Sequence, residues 1–496
     1  MQHLPYPLYT AEQTRQLDRI ASEQHAIPAA TLMSRAGTAA LNFILTQWPD
    51  AKQLLILCGS GNNAGDGYEV ARQALEKHCK VVLVEVGRTD KMSDEATAAR
   101  QAYLATGAEP IAFDGVLPAA DMIVDALFGT GLDRDITGAF AQAIDAINHV
   151  ENTPVLSLDI PSGIHADTGK ALGIAVHATA TLSFIGLNIG LFNGDAPNYT
   201  GRIVFDALAV PDSVFEAIEA TTYRLDLDHQ ATLKLAPRQR TSHKGHFGHL
   251  LVIGGNLGMS GAPRIAAEAA TRVGAGLVSI ATHPSHSALI NLTRPELMSH
   301  GVEIIDELTP LLTTTNVVTI GPGLGQTQWS QALLNKAIES KHPMVVDADA
   351  LNLLSRQPQQ NPHWILTPHP GEAARLLGCS TQTVQENRLD AVRQLHARYG
   401  GIIVLKGAGT LIYNGENPIR LSPCGNPGMA SGGMGDALAG IIGGLLAQNF
   451  SLMGAACIGV TIHGMAADKA AEQDGERGML AMDLMPHLRH LVNLKF

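Results

Sequence analysis

The sequence predicts an α/β fold built from two doubly wound domains, and three observations support this prediction. Short apolar runs such as residues 53–59 (QLLILCG) and 80–87 (KVVLVEVG) alternate with longer amphipathic segments, as strands and helices do in βαβ units. Many of these runs end in glycine-rich loops. The 50 glycines and only 4% aromatic residues suit tightly packed helix and sheet layers, and 496 residues exceed one ordinary core.

Composition and charge exclude several classes of protein. The net charge of −12 would repel a phosphate-coated polymer, so we expect no nucleic-acid partner. The cysteines show no paired spacing, which argues against a disulfide framework or a zinc site and favours a reducing compartment. No apolar run reaches about 18 residues, and the N-terminus lacks the basic and apolar regions of a signal peptide. We therefore expect a soluble cytoplasmic protein with no membrane partner.

The first half begins with an amphipathic segment, residues 10–47, which we interpret as a helix because apolar positions recur at helical spacing. A second helix is predicted at residues 68–78 (YEVARQALEKH), after the first glycine-rich loop. The predicted strands lie at residues 53–59, 80–87, 121–127, 154–160 and 180–186. This pattern predicts a Rossmann-like three-layer αβα domain with its functional sites at the carboxyl ends of the strands.

A polar stretch separates the two halves. The regular alternation weakens after residue 211, and we assign residues 223–240 as a linker between a domain at 1–222 and a second domain at 241–496. The second α/β series has its predicted strands at residues 249–255, 276–282, 316–323, 343–349, 364–370 and 401–407.

The first glycine-rich loop, residues 59–67 (GSGNNAGDG), has the GxGxxG/A spacing of dinucleotide-binding folds. Glu85 ends the next strand, where a ribose-binding acid is expected, so the spacing alone suggests an NAD-dependent dehydrogenase. Asp66 argues against that interpretation, because its carboxylate would repel a pyrophosphate at the helix N-terminus. A simpler role for Asp66 as a helix cap stays open.

Hard oxygen ligands follow three strand ends of the first half. Asn63, Asp125 and Ser162 each lie at or just after the end of a predicted strand, so one edge of the sheet should bring them together. Carboxylate, amide and hydroxyl oxygens suit an alkali or alkaline-earth cation rather than a transition metal. Taken singly, each residue is also common in turns and caps, and that alternative stays open.

Four motifs of the first half together resemble the NAD(P)H-hydrate epimerase domain. They are residues 32–37 (LMSRAG), 59–67 (GSGNNAGDG), 124–132 (VDALFGTGL) and 159–164 (DIPSGI). The resemblance covers nearly all of residues 10–215 and implies that the substrate is hydrated NADH or NADPH. It also implies a potassium ion held by Asn63, Asp125 and Ser162, and a catalytic acid/base role for Asp159. The implied substrate-binding residues are Asn62, Asn63, Ala64, Gly65, Asp66, Gly129, Thr130, Gly131, Leu132, Asp133, Arg134, Asp135 and Asp159.

Two positions depart from the pattern of that family. Ala64 replaces a usual glycine, which is a mild change. Asn188, within residues 184–191 (FIGLNIGL), stands where the family usually has lysine. We therefore expect that Asn188 does not carry a proton-transfer step.

The second half has its own candidate anion-binding loop. Gly432, Gly433 and Gly435 precede Asp436 and an apolar helix, so backbone N–H groups and the helix N-terminus can cradle a phosphate. Asp436 as a helix cap is the alternative, but a cap would not need these glycines. This GxGD loop resembles that of the ribokinase-like superfamily, which implies that Asp436 accepts the proton of a hydroxyl being phosphorylated.

Four motifs give a closer resemblance, to the ADP-dependent NAD(P)H-hydrate dehydratase domain across residues 240–496. They are residues 255–270 (GNLGMSGAPRIAAEAA), 367–372 (TPHPGE), 406–410 (KGAGT) and 425–436 (GNPGMASGGMGD). The resemblance implies that ADP, with Mg²⁺, binds Lys406, Gly407, Ala408, Gly409, Thr410 and Gly435. It implies that Ala262, Gly323, His369 and Asp436 contact the hydrate, although a packing role for His369 is an open alternative.

The two resemblances together imply a bifunctional enzyme that repairs hydrated nicotinamide cofactors. The first domain would interconvert the R and S epimers of hydrated NADH and NADPH (NADHX and NADPHX). The ribokinase-like second domain would use ADP to dehydrate the S epimer, with release of AMP and phosphate. We expect a homo-oligomer whose other partners are these small molecules. The main alternative is a kinase of a hydroxymethyl heterocycle fused to a nucleotide-binding domain, and a nucleotide-sensing protein without turnover is a further one.

Overall fold

The computed structural model describes most of the chain, namely residues 4–88, 92–225, 235 and 237–493. The chain divides into two compact units, Met1–Tyr223 and Arg224–Phe496. Much of the predicted linker at residues 223–240 lies outside the described ranges, so its assignment stays a prediction. Within those ranges, no helix has the length and apolar character needed to cross a membrane.

Unit 1 is a three-layer αβα structure around a parallel sheet. Its helices and strands are β1 (Pro7–Leu8), α1 (Ala11–His25), α2 (Ala29–Gln47), β2 (Gln53–Cys58), α3 (Asn62–Glu76), β3 (Lys80–Glu85), α4 (Asp94–Leu104), β4 (Ile111–Ala112), β5 (Met122–Ala126), α5 (Gly138–Asn148), β6 (Val155–Leu158), β7 (Ala180–Phe184), β8 (Arg202–Asp206) and α6 (Asp212–Glu216). The next strand, β9 (Thr222–Arg224), includes the last residues of unit 1 and the first residue of unit 2. The sheet order is β4-β3-β2-β5-β6-β7-β8. Leu54 and Ile56 of β2 pack in a core with α2 and α3, whereas Leu55 and Leu57 pack with α5 on the opposite face. The predicted α/β architecture of this half is confirmed.

The segment 10–47 forms two helices, so the prediction of a single helix is wrong. Helix α1 ends at His25 and α2 begins at Ala29. Ala26 has a left-handed φ of 52°, and Pro28 directly precedes the second helix, so the backbone leaves one helix before it enters the next. The sequence pattern did not show this break, because apolar residues recur at helical spacing both before and after it.

Unit 2 is also built on a largely parallel sheet. Its helices and strands are β10 (His249–Ile253), α7 (Gly261–Arg272), β11 (Leu277–Thr282), α8 (Pro284–Ser287), β12 (Met298–Gly301), α9 (Leu308–Thr314), β13 (Val317–Ile320), α10 (Gln328–Glu339), β14 (Met344–Val346), α11 (Ala348–Arg356), β15 (Trp364–Leu366), α12 (Pro370–Leu377), α13 (Thr381–Glu386), α14 (Arg388–Tyr399), β16 (Ile402–Leu405), β17 (Thr410–Tyr413), β18 (Ile419–Ser422), α15 (Met434–Ala447), α16 (Leu452–Asp474) and α17 (Leu484–Leu491). Within the unit the strands follow the order β18-β17-β16-β15-β14-β13-β10-β11-β12. Strands β12, β17 and β18 were not predicted. β17 pairs antiparallel with both β16 and β18, whereas the predicted strands pair parallel with one another.

Helix α15 packs closely against α7, and this contact positions the loop before α15. A Cβ placed on Gly440 would lie 2.0 Å from the carbonyl oxygen of Ala266, and one placed on Gly444 would lie 2.8 Å from Cα of Ala270. The glycines within this apolar helix therefore let the two backbones approach each other. The N-terminus of α15 is thereby held beside residues that follow β14 and β16.

Two candidate active sites

Unit 1 contains a cavity of about 550 Å³ at the carboxyl ends of β2, β5 and β6. Most of the predicted substrate-binding residues line it, namely Asn62, Asn63, Asp66, Gly129, Thr130, Gly131, Leu132, Asp133, Arg134 and Asp159. Ala64 and Gly65 are buried and do not line the cavity, and Asp135 is exposed outside its lining. Apart from these three residues, the predicted set converges on one cavity.

Asp159 follows β6 in a backbone conformation that non-glycine residues rarely adopt. Its φ is 66°, in the left-handed region. Its N–H donates to the carbonyl of Leu182 at 2.7 Å, and its Oδ2 accepts from the N–H of Thr130 at 3.2 Å. Burial, and then the charge of Asp18, raises the pKa of Asp159 to about 7. A carboxyl with this pKa can donate or accept a proton near neutral pH.

Two further carboxyl groups line the same cavity. Asp66 is the fifth residue of α3, beyond the N-cap, so its interpretation as a helix cap is wrong. Burial, together with the charges of Asp159 and Asp18, raises the pKa of Asp66 well above its usual range. Asp18 comes from α1, and desolvation raises its pKa to about 6. The sequence did not single out Asp18, which remains an exposed residue of the amphipathic helix α1 at the lining of the cavity.

The predicted cation ligands Asn63, Asp125 and Ser162 lie together. Ser162 donates from Oγ to Asp125 Oδ1 at 2.5 Å, and its N–H donates to Asp125 Oδ2 at 2.9 Å. Nδ2 of Asn63 donates to the carbonyl of Phe128 at 2.9 Å, and Oγ of Ser162 lies 3.2 Å from the same carbonyl. The Oδ1 atom of Asn63 is buried and has no hydrogen-bond partner among the described residues. The unpaired oxygen of Asn63 fits a cation ligand. Both oxygens of Asp125 already accept hydrogen bonds, from Ser157, Ser162 and the N–H of Leu127, so Asp125 would exchange some of these bonds for an ion.

Asn188 lies outside the lining of the cavity. Its side chain is fully buried, and its Nδ2 donates to Oγ1 of Thr14 at 3.1 Å. Thr14 does line the cavity. Asn188 therefore supports the cavity wall through α1 without reaching the cavity itself.

Glu85 does not have the role that a dehydrogenase would require. Its Oε1 accepts from the Tyr68 hydroxyl at 2.7 Å and from Nε of Arg100 at 2.6 Å. The carboxylate is engaged in this internal network and does not line the cavity. The dehydrogenase interpretation therefore has no ribose-binding acid at this position.

In unit 2, the glycine-rich loop leads directly into the N-terminus of α15. Gly433 precedes the helix with a φ of 89°, and no described side chain caps this end. Asp436 is the third residue of the helix, so the interpretation of Asp436 as a cap is wrong. Burial, and then the charge of Asp347, raises the pKa of Asp436 to about 7. The carboxyl therefore has the pKa that suits a general base at neutral pH.

The Lys406 side chain contacts carboxylates that follow other strands of unit 2. Its Nζ lies 2.8 Å from Oδ1 of Asp347 and 3.8 Å from Oε2 of Glu372. Burial alone would lower the pKa of Lys406, but these two carboxylates outweigh burial and raise it. A Cβ placed on Gly435 would lie 3.2 Å from this Nζ, so the predicted ADP ligands Lys406 and Gly435 are neighbours.

The remainder of the predicted ADP loop is supported by a buried arginine. Gly407 and Ala408 are exposed, and Thr410 begins β17 and donates from Oγ1 to the carbonyl of Gly407 at 3.0 Å. Arg388 is only 2% exposed, and its Nη2 donates to the carbonyl of Gly409 at 3.0 Å. Burial lowers the pKa of Arg388 to about 10, so the side chain remains a cation at neutral pH. The sequence did not single out this residue.

The predicted hydrate contacts come from separate loops. A Cβ placed on Gly323 would lie 3.2 Å from Cβ of Ala262, so these two residues are adjacent. His369 caps α12, because its Nδ1 accepts from the N–H of Gly371 at 3.0 Å. Burial, and then the charge of Lys406, lowers the pKa of His369, so its ring is neutral at neutral pH. A neutral imidazole beside Lys406 is thus part of this site.

Two carboxylates outside the predicted set of ligands position loops of unit 2. Oδ2 of Asp349 accepts from the N–H of Gly325 at 2.8 Å, and its charge is among those that raise the pKa of Asp436. Oδ2 of Asp468, on α16, accepts from the N–H of Gly425 at 3.0 Å. The loops that contain Gly325 and Gly425 are therefore each held by a carboxylate from another element.

Comparison with known proteins gives a match in each unit. Residues 29–190 match the family model described as YjeF-related protein N-terminus, and residues 250–489 match the one described as NAD(P)H-hydrate dehydratase. A bifunctional NAD(P)H-hydrate repair enzyme from Coxiella burnetii is 49% identical over 493 residues, which cover 98% of this chain and 99% of the relative. Another from Escherichia coli is 44% identical over 491 residues, which cover 99% and 95%. The chain belongs to the bifunctional NAD(P)H-hydrate repair enzymes.

The repair-enzyme chain also has a structural neighbour for its second half. A crystal structure of a ribokinase-like superfamily protein from Enterococcus faecalis is 28% identical, with a TM-score of 0.51, and covers 55% of this chain and 96% of that chain. The predicted ribokinase-like fold is confirmed. Within the repair enzyme, Asp436 and Lys406 lie in the part that matches the dehydratase model, whereas Asp159 lies in the part that matches the N-terminal model.

Proposed function

We propose that unit 1 epimerises NADHX and NADPHX and that unit 2 dehydrates the S epimer with ADP. One observation carries the proposal: Asp436, a carboxyl with a pKa of about 7, follows a glycine-rich loop beside Lys406. This arrangement lies in the part of the chain that matches the NAD(P)H-hydrate dehydratase family. It supplies a base and an anion cradle side by side, which phosphoryl transfer to a hydroxyl needs.

The proposed dehydration turns a poor leaving group into a good one. Asp436 takes the proton of the ring hydroxyl as the hydroxyl oxygen attacks the terminal phosphorus of ADP, and AMP leaves. The C–O bond to the new phosphate ester then breaks, and phosphate departs with the bonding electrons. Loss of a proton from the neighbouring ring carbon restores the double bond of NADH or NADPH. Lys406, Gly435 and the first N–H groups of α15 would stabilise the negative oxygens during transfer.

Magnesium would bind in unit 2 together with the phosphates of ADP, and not through protein side chains alone. Among the described residues, no three histidine, cysteine, aspartate or glutamate side chains form a group that could hold a metal ion. Mg²⁺ in nucleotide sites is commonly bound through one or two carboxylates together with the phosphates. Asp349, whose charge reaches Asp436, would supply such a carboxylate, and the ion would offset the charge of the diphosphate.

In the unit 1 cavity, Asp159 would act as an acid/base at the hydroxyl-bearing ring carbon. The N–H of Thr130 orients its Oδ2, and its pKa of about 7 suits this role. Potassium on Asn63, Asp125 and Ser162 fits the unpaired oxygen of Asn63. Its charge would offset the repulsion between the cavity carboxylates and the pyrophosphate of the substrate.

The test is to incubate mixed R and S hydrates with ADP, with ATP or with neither, and to follow the absorbance of reduced nicotinamide. We expect ADP to restore absorbance from the whole mixture, first from the S epimer and then at a rate limited by epimerisation. Failure to regain absorbance with any nucleotide contradicts the dehydratase assignment. A plateau once the S epimer is consumed contradicts the epimerase assignment, and nucleotide consumption without absorbance would support the kinase alternative.

We further propose a homo-oligomer that works in the cytoplasm. The unpaired cysteines of the described chain suit a reducing compartment. Light scattering of the purified protein measures the oligomeric state, and a monomer at working concentration would contradict this part of the proposal.

A further inference from the structure

We propose that Met259 forms an apolar wall of the unit 2 site and packs against the hydrated nicotinamide ring whose hydroxyl Asp436 deprotonates. The inference rests on the proposed dehydratase function of this unit. It names a contact that the predicted set of Ala262, Gly323, His369 and Asp436 does not include. Met259 lies in the loop between β10 and α7, and the structure of that loop determines where its side chain can act.

The chain makes a tight turn before α7, and this turn is fixed to the rest of the unit. The N–H of Met259 donates to the carbonyl of Asn256 at 2.9 Å, and Gly258 has a φ of 80°, as the third residue of a type II turn does. The N–H of Asn256 donates to the carbonyl of Gly323 at 2.7 Å, and its Nδ2 donates to the carbonyl of Leu324 at 3.2 Å. A turn anchored in this way can hold a contact residue in position.

Met259 lies against two of the predicted hydrate contacts. A Cβ placed on Gly323 would lie 2.9 Å from Cβ of Met259 and 3.2 Å from Cβ of Ala262. One placed on Gly325 would lie 3.4 Å from Cε of Met259, so the thioether side chain extends along this glycine-rich loop. Met259, Ala262 and Gly323 therefore form one cluster.

This cluster adjoins the helix that carries Asp436. Ala262 and Ile265 lie in the first part of α7, and a Cβ placed on Gly433 would lie 2.8 Å from Cδ1 of Ile265. Gly433 directly precedes α15, three residues before Asp436. The N-termini of α7 and α15 are thus neighbours, with Met259 before one and Asp436 in the first turn of the other. A ring bound between them would have its hydroxyl at Asp436 and an apolar edge at Met259.

Met259 and its neighbour Leu257 are exposed apolar residues on this anchored turn. The exposed fraction is 37% for Met259 and 62% for Leu257. The turn itself requires neither apolar side chain, since Gly258 supplies the positive φ. Apolar side chains exposed together beside a binding site indicate an apolar part of the ligand. The hydrated ring has such a part, because two of its carbons are saturated CH₂ groups.

An apolar wall would also protect the intermediate of the proposed dehydration. When the C–O bond of the phosphate ester breaks, phosphate takes the bonding electrons and leaves a cation that the ring nitrogen stabilises. Loss of a proton from the neighbouring carbon gives the reduced nicotinamide. Addition of water to the cation, followed by loss of a proton from that water, instead regenerates the hydrate, so ADP and water become AMP and phosphate without repair. Met259 keeps water from the ring and thereby favours the productive route.

The test compares Met259→Gln with Met259→Leu and with Ile304→Gln. Glutamine is polar but close to methionine in length, leucine keeps the apolar character, and Ile304 is an exposed apolar residue after the edge strand β12. Rates on purified S hydrate give the KM for the hydrate and for ADP, and the AMP released is divided by the NADH regained. We expect Met259→Gln to raise the KM for the hydrate about tenfold and to leave the KM for ADP within about twofold.

The ratio of AMP to NADH separates a contact with the ring from a structural role, because partial unfolding lowers the rate without changing the ratio. We expect this ratio to rise from about one in the wild type to at least about two in Met259→Gln. It should stay near one in Met259→Leu, whose apolar side chain still excludes water, and Ile304→Gln should keep all the wild-type values.

The proposal is overturned if Met259→Gln keeps both the KM for the hydrate and the ratio of AMP to NADH within about twofold of the wild type. It is also overturned if Ile304→Gln has the same effects as Met259→Gln. A wild-type protein that regains no NADH would instead refute the dehydratase function itself, so the two failures are distinguishable.

Discussion

Replacement of Asp436 by asparagine tests the proposed base of unit 2 directly. The side chain keeps its size and the loop keeps its glycines, but the proton acceptor is lost. A general base contributes about 10²- to 10⁴-fold to a rate. We expect ADP-dependent dehydration to fall by that factor, which corresponds to about 2.7–5.4 kcal/mol of transition-state stabilisation. Epimer exchange should continue unchanged, because residues of unit 1 line its cavity.

The pKa of Asp436 adds a pH dependence to this prediction. Burial, and then the charge of Asp347, raises the pKa to about 7, and only the ionised carboxylate can accept a proton. Dehydration by the wild type should therefore rise about tenfold between about pH 6 and about pH 8 and level off above that range. The residual rate of Asp436→Asn should lack this rise, since the titrating group is gone.

The assay follows reduced-nicotinamide absorbance from purified S hydrate and ADP, and a parallel measurement follows epimer exchange. Asp474→Asn makes the same chemical change at an exposed residue at the end of α16 and serves as the control. Dehydration by Asp436→Asn above about a tenth of the wild-type rate would refute the reasoning. A wild-type rate that stays flat across neutral pH would refute it as well.

Three other predictions concern the cation, Asn188 and the ADP loop. Replacing potassium by a bulky organic cation at equal ionic strength should weaken hydrate binding. Asp125→Ala should remove the dependence of binding on potassium together with most epimerase activity. Equal binding in the two salts would contradict the cation site. Asn188→Ala should keep the initial rate of epimer exchange within about tenfold of the wild type, a change of about 1.4 kcal/mol in activation free energy, because the Asn188 amide contacts Thr14 and not the cavity. A rate loss of several orders of magnitude would disprove this. Arg388→Met should raise the KM for ADP about tenfold with a smaller change in kcat, because the carbonyl of Gly409 loses its donor; an unchanged KM would show that the loop needs no such support.

Sequence motifs identified most of the unit 1 cavity because the ends of parallel strands meet at one edge of a sheet. Asn63, Asp125 and Ser162 are far apart in the chain, yet β2, β5 and β6 are neighbours in the sheet. Asp18 and Arg388 could not be identified in this way. Both lie on helices, where a charged residue ordinarily faces solvent. Packing turns Arg388 inward, whereas Asp18 stays exposed at the lining of the cavity.

The pairing of Lys406 with Asp347 has a consequence for which anions the proposed ADP site accepts. The two side chains lie 2.8 Å apart, and Asp347 is almost completely buried. The positive charge of Lys406 is therefore already partly neutralised by Asp347. The Asp347 carboxylate also repels any further anion that approaches Lys406. Free phosphate brings nothing to offset that repulsion, whereas a nucleoside diphosphate brings its own divalent cation. In a cell rich in inorganic phosphate, such a site would resist competition from bare anions while remaining open to metal-chelated nucleotides.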